Sequence, residues 1–149
     1  MNIEIAIKDA CKKLKKNYIS SALLDSELLL SKVIKKDRRF ILLNLEKKIN
    51  QGDQNSFKDL IIKRSKGKPL AYLTGIKSFW KHDFKINDKV LIPRPDTEII
   101  IDQVLNIYKS KKNINFLDIG FGSGCIILSI LKERKDFRAT GIDISSHAL

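Results

Sequence analysis

The chain is 149 residues long, carries a formal charge of +12 and is 43% hydrophobic and 31% charged, which supplies both a packable core and a soluble surface and excludes a disordered chain. No run of about 18 uncharged apolar residues occurs and the opening MNIEIAIKDACKKLKK mixes acids with lysines, so neither a membrane span nor a secretory signal is expected. Arginine stands only at 38, 39, 64, 94, 134 and 138, and lysine is otherwise spread along the chain as a default surface residue, so direct nucleic-acid binding is not expected, although a basic surface suits an acidic partner.

Over residues 3–16, Ile3, Ile7, Ala10, Cys11 and Leu14 share one helical face, with Lys8, Asp9, Lys12 and Lys13 elsewhere. Ser20 or Ser21 is the expected cap of the next helix, whose apolar stripe runs through Leu24, Leu28, Leu29, Leu30, Val33 and Ile34. A short helix follows near 38–45. After a polar stretch at 50–55, Phe57, Leu60 and Ile61 mark a fourth, ending in a lysine-rich turn before Gly67 and Pro69. These segments predict a helical domain over 1–68, a size at which a core gains from docking on a neighbour. From Pro69, aromatic, β-branched and turn-forming residues replace helical periodicity and predict a β-hairpin linker over 69–92. Phe79-Trp80 and Asp83-Phe84-Lys85-Ile86 flank its turn, and Asn87-Asp88 leads into Val90-Leu91-Ile92. Pro93 and Pro95 hold Ile92 and Arg94 extended, and Asp96 or Thr97 is the expected cap of a helix carrying Ile100, Val104, Leu105 and Tyr108.

Residues 93–149 hold the informative unit: an apolar strand at 115–119, a turn at 120–124, an apolar helix at 126–132 and a second strand at 139–144. Strand, glycine turn, helix, strand is a βαβ unit, whose two strands pair in parallel under general connection rules. In Asp118-Ile119-Gly120-Phe121-Gly122-Ser123-Gly124, alternate glycines permit backbone angles that side chains forbid and let the main chain approach a ligand. The helix that follows offers unpaired N–H groups and a dipole to an electronegative group. Asp143 stands 19 residues beyond Gly124, where strand-end carboxylates in such units accept from ribose hydroxyls. The dinucleotide spacing G-x-G-x-x-G is not met, because Cys125 stands where its last glycine belongs, which disfavours a nicotinamide-dependent dehydrogenase. The spacing instead resembles the first motif of class I S-adenosylmethionine-dependent methyltransferases, in which an acidic residue two before the first glycine, here Asp118, helps hold the cofactor. The plainer reading of the same residues is a tight strand-to-helix turn, and it leaves the coincidence of Asp118 and Asp143 unexplained.

A second stretch narrows the class: Leu91-Ile92-Pro93-Arg94-Pro95-Asp96-Thr97-Glu98, preceded by Lys68-Pro69-Leu70-Ala71-Tyr72-Leu73-Thr74-Gly75 and by Phe79-Trp80. With these the chain resembles, over essentially its whole length, the HemK/PrmC family, the methyltransferases that modify the glutamine of the Gly-Gly-Gln motif of peptide chain release factors. The resemblance implies an α plus α/β architecture: an N-terminal helical domain that recognises the release factor, a hairpin linker, and the start of a Rossmann-like methyltransferase domain that breaks off after its second parallel strand. It implies S-adenosyl-L-methionine as cofactor, release factors as protein substrates, and a cytoplasmic monomer, a compartment that also suits Cys11 and Cys125, which belong to no CxxC or metal-ligating cluster. Gly120, Phe121, Gly122, Ser123 and Gly124, with Asp118, would line the cofactor, Asp143 would bind its ribose, and Arg94, Thr97 and Glu98 would shape the pocket edge. Those three also suit helix-start and carboxylate-bridging roles. Phe79, Trp80 and Tyr72 are expected to pack between the two domains, and His82 and His147 to take surface or core roles. The family's Asn-Pro-Pro-Tyr motif is absent from these 149 residues, so no catalytic residue is expected among them, methyl transfer by them alone is not expected, and the faces of an unfinished parallel sheet should lie uncovered. The alternatives are a nucleic-acid amino-methyltransferase, which uses a related motif, and a non-catalytic module that docks on a release factor or RNA.

Overall fold

The computed structural model describes residues 1–146, so His147 lies outside the described residues. The chain divides into two compact units, Met1–Thr74 and Gly75–Leu149.

The first unit is helical. Helix α1 (Ile3–Lys16) is capped by Asn2, whose side chain accepts from Ile5 N at 3.0 Å, and it buries Ile3, Ala6, Ile7, Ala10 and Leu14. Its two first N–H groups, which no helix can satisfy internally, are taken by carbonyls of the chain that later returns past them: Ile3 N donates to Lys47 O and Glu4 N to Leu45 O, both at 3.0 Å. Helix α2 (Ala22–Ile34) is not capped by a serine side chain, contrary to expectation. Ser21 has φ −84° and ψ 20°, already close to helical, so its hydroxyl cannot reach back to the first turn. The buried stripe of α2 is also rotated from the expected one. Leu24 is 41% exposed, while Ala22, Asp25, Ser26, Leu29 and Leu30 are buried. Two carboxylates go inside because each meets an arginine: Asp25 Oδ2 with Arg64 Nε, and Glu27 Oε2 with Arg38 Nε, both at 2.7 Å. Helix α3 (Arg38–Leu43) is capped by Asp37, and α4 (Gln51–Ser65) by Asn50. Helix α4 therefore starts inside the polar stretch after which it was expected. Asn50 and Asp53 cap each other, Asp53 N donating to Asn50 Oδ1 at 2.8 Å and Asn50 Nδ2 to Asp53 Oδ2 at 2.7 Å, a reciprocal pair that needs no apolar residue. A fifth helix, α5 (Leu70–Thr74), belongs to this unit, since Leu73 lies in its core and Leu70 packs against it.

The second unit opens with the antiparallel hairpin of β1 (Ile76–Phe79) and β2 (His82–Lys85), in register from Ile76 with Lys85 to Phe79 with His82. Trp80 makes the turn with φ +55°. Phe79 and Phe84 bury their rings edge to face, centroids 6.2 Å apart. A 3₁₀ turn (Pro95–Thr97) then leads into helix α6 (Glu98–Ile107). Neither Asp96 nor Thr97 caps α6 with its side chain in the expected way: Thr97 has φ −70° and ψ −18° and already lies within the winding, which Pro95 begins and where the Arg94 carbonyl accepts from Thr97 N at 3.1 Å. Strand β3 (Asn115–Ile119), helix α7 (Cys125–Glu133) and strand β4 (Arg138–Ile142) complete the unit. The strands pair in parallel, with Asp118 beside Gly141 and Ile119 beside Ile142. Arg134 braces the approaches to both strands. It donates a fork to the Asp136 carboxylate at 3.0 and 2.9 Å, donates to the carbonyls of Tyr108 and Lys111, and stacks on Phe137 with its guanidinium 4.1 Å from the ring centre.

Candidate functional site

The parallel register delivers Asp118 and the turn after β3 to the same end of the sheet as the tip of β4. From there the loop is tied to the tip by its own backbone. Gly120 N and Phe121 N both donate to Ile142 O, at 2.7 and 3.3 Å, and the loop closes on itself where Gly124 N donates to Phe121 O at 2.8 Å. Gly120, Gly122 and Gly124 take φ values of +75°, +54° and +71°, the left-handed region that other residues enter at a cost. A side chain would meet nothing within 4 Å at Gly120, and only the loop's own carbonyl at 4.0 Å at Gly122. The glycines are therefore required by conformation, and the loop keeps open space beside its main chain.

Asp143 holds the crest of this loop. Its Oδ2 accepts from Gly122 N and its Oδ1 from Ser145 N, each at 2.8 Å. These backbone bonds, Ser145 first and Gly122 second, lower the Asp143 pKa from its ordinary value by favouring the charged form. Each carboxylate oxygen keeps a further lone pair for another donor.

Asp118 is in the opposite condition. Burial raises its pKa above the ordinary value, with a hydrogen bond from the Ile127 backbone in the first turns of α7 pulling the other way. Its Oδ2 is buried and has no partner among the described residues. An unsatisfied buried carboxylate oxygen is costly, and such atoms concentrate where a ligand completes the bonding. Beside it, burial likewise raises the Cys125 thiol, which the Ser123 hydroxyl approaches.

Glu98, expected at a pocket edge, spends its Oε1 on Trp80 N at 2.9 Å. Trp80 Nε1 and Lys81 Nζ both donate to Glu133 Oε1, at 3.0 and 2.7 Å, and Lys81 lies over the indole ring. The hairpin tip is thereby fastened to α6 and α7, an arrangement that only the long-range pairing of residues 53 apart reveals. Arg94 is exposed and Thr97 half-buried; among the described residues no hydrogen bond ties either of them, or Glu98, to the glycine loop. Phe79 and Trp80 pack inside the second unit, Tyr72 is half-buried in the first, and His82 is half-buried on β2 with its Nε2 enclosed. Among the described residues no helix is long and apolar enough to cross a membrane, and no three His, Cys, Asp or Glu side chains group as a metal site.

Against this geometry stand the matches to known proteins. Residues 6–75 match the family model described as PrmC N-terminal domain. The chain is 43% identical over 139 residues to the release factor glutamine methyltransferase of Leptospira interrogans, covering 91% of this chain and 48% of that protein. It is 40% identical to the protein of the same name from Buchnera aphidicola subsp. Baizongia pistaciae, over 96% of this chain and 51% of that protein. With the bifunctional methyltransferase of Rickettsia conorii the identity is 33%, over 99% of this chain and 33% of that protein. The chain thus spans between a third and about half the length of these curated relatives.

Proposed function

We propose that this chain, a member of the HemK/PrmC family over the residues that match it, supplies the recognition domain and half of the cofactor site of an enzyme acting on peptide chain release factors. At the full length of its relatives the protein transfers a methyl group from S-adenosylmethionine to the side-chain amide nitrogen of the Gly-Gly-Gln glutamine, as a cytoplasmic monomer. The observation that carries the reading is the bond from Gly122 N to Asp143 Oδ2, which fixes a glycine loop in open form beside a strand-end carboxylate with lone pairs to spare.

The residues present fit the cofactor on two counts: the unfilled space beside Gly120, and the unpartnered Oδ2 of Asp118. The main chain of residues 120–124 would line it, Asp118 would offer its free oxygen to a donor at the amino-acid end, and Asp143 would take the ribose hydroxyls. Bound there, the cofactor supplies a sulfonium methyl group as electrophile. The chain's own contribution is orientation. An amide nitrogen is a poor nucleophile because its lone pair is delocalised, so the rate is set by how well its hydrogens are held, and in the family that task falls to the Asn-Pro-Pro-Tyr motif.

The test is incubation of the full-length protein with release factor and methyl-labelled S-adenosylmethionine, followed by mass spectrometry of the Gly-Gly-Gln peptide. Label on the glutamine side chain is expected. Label only on nucleic acid, or none anywhere, would overturn the reading, and turnover by the 149-residue polypeptide itself would show that the missing motif is dispensable.

A further inference from the structure

Glycine inside a strand costs conformational entropy and packs nothing, so it usually marks a close approach by another group. Gly141, in β4, has no left-handed φ to explain it, unlike the three glycines of the loop. What explains it is a ring. A Cβ at Gly141 would sit 3.0 Å from Cγ and 3.1 Å from Cδ1 of Phe121, well inside the roughly 3.5–4.0 Å at which carbons pack. Its next neighbour, Ile127 Cδ1, would be at an ordinary 3.5 Å, so the conflict is with Phe121 alone. The same ring passes the loop's other end, where a Cβ at Gly124 would lie 3.5 Å from Phe121 Cδ2.

We propose that Gly141 is a positioning residue: its missing side chain is the seat of the Phe121 ring, and the seated ring sets the shape of the glycine loop. Phe121 follows Gly120 and precedes Gly122, whose N–H is bonded to Asp143, two residues beyond Gly141. The loop is therefore clamped to the end of β4 at two adjacent points, by a ring on Gly141 and by a backbone bond on Asp143. Seating the ring against the strand keeps the one large side chain of the loop off the open side of its main chain. For binding, this inference rests on the reading of that loop as the S-adenosylmethionine site.

The two residues should then be coupled. Gly141→Ala, Phe121→Ala and the double variant are made in the full-length protein, and S-adenosylmethionine affinity, KM, kcat and melting temperature are measured for each. Gly141→Ala alone is expected to weaken cofactor binding about tenfold, with KM for the cofactor rising more than kcat falls, because the ring is driven out of its seat. In the Phe121→Ala background the same change is expected to cost less than about twofold, since there is no longer a ring to displace. Equal losses in both backgrounds, in affinity and in melting temperature, would overturn the proposal. If the wild-type protein binds no S-adenosylmethionine, it is the assignment of the cofactor that has failed, and the melting temperatures still decide whether Gly141 and Phe121 are coupled.

Discussion

Asp118 and Asp143 are both acidic and both stand at the mouth of the glycine loop, yet their surroundings push them apart. Asp143 is held charged by the backbone donors of Gly122 and Ser145, whereas Asp118 is charged at a cost because one oxygen is buried without a partner among the described residues. Asp118→Asn should therefore raise the melting temperature of the ligand-free protein while weakening S-adenosylmethionine binding about tenfold or more, opposite signs that calorimetry and thermal denaturation would read together. A fall in both would contradict the view of its free oxygen as a ligand-binding atom. Asp143→Asn keeps one acceptor where the wild type has two, so hydrogen exchange at Gly122 or Ser145 should quicken even without cofactor. The sign of its pH dependence follows from the lowered pKa: the loop clamp is complete above the ordinary carboxylate value of 3.8 and is lost as pH falls below it. At this scale the form of the loop was legible in the sequence, because alternate glycines after an apolar strand call for a left-handed strand-to-helix turn. Gly141 was not legible: a lone strand glycine announces a neighbour without naming it, and Phe121 lies in another element.

The helices and strands were legible wherever an apolar face repeated, as along α1 and in the βαβ unit, and least legible where polar residues do the packing. Helix α2 turns Asp25 and Glu27 inward because arginines of α4 and α3 come to meet them, which no periodicity within α2 discloses. Arg64→Ala should accordingly cost the helical unit about 3 kcal/mol in urea denaturation, since it leaves a buried carboxylate without its partner; a loss near zero would mean that solvent replaces the arginine. The start of α4 was hidden for a related reason, its cap being a reciprocal Asn50 and Asp53 pair in a stretch with no apolar signal. In the second unit the Arg134 brace makes a measurable claim. Its guanidinium, through paired hydrogen bonds, lowers the Asp136 pKa from 3.8 to about 2. The brace is therefore intact above the ordinary value and is released as pH falls from there toward 2. In an NMR titration, Arg134→Met should return Asp136 to the ordinary carboxylate range, whereas an unchanged titration would place the cause elsewhere.

Over the whole molecule, one unit is a closed helical core and the other carries an α/β surface that is open on one side. Leu117, Ile119 and Ile142 are exposed along the two parallel strands, Ile119 by 75%, although parallel sheets are ordinarily covered on both faces. A polypeptide of these 149 residues should consequently bind a hydrophobic dye strongly, and the full-length protein should not. Equal dye binding by the two would mean that the strands stay bare in both. The proposed function comes down to one seat: the main chain around Gly122 and the carboxylate of Asp143 would together hold an aminoacyl nucleoside. The most direct measurement is a crystal structure of the full-length protein grown with S-adenosylmethionine. The predicted result is the ribose hydroxyls on Asp143, the amino-acid end against residues 118–124, and the Gly122 bond still in place; a cofactor seated elsewhere, or an Asp143 carboxylate that touches only its own backbone, would contradict it.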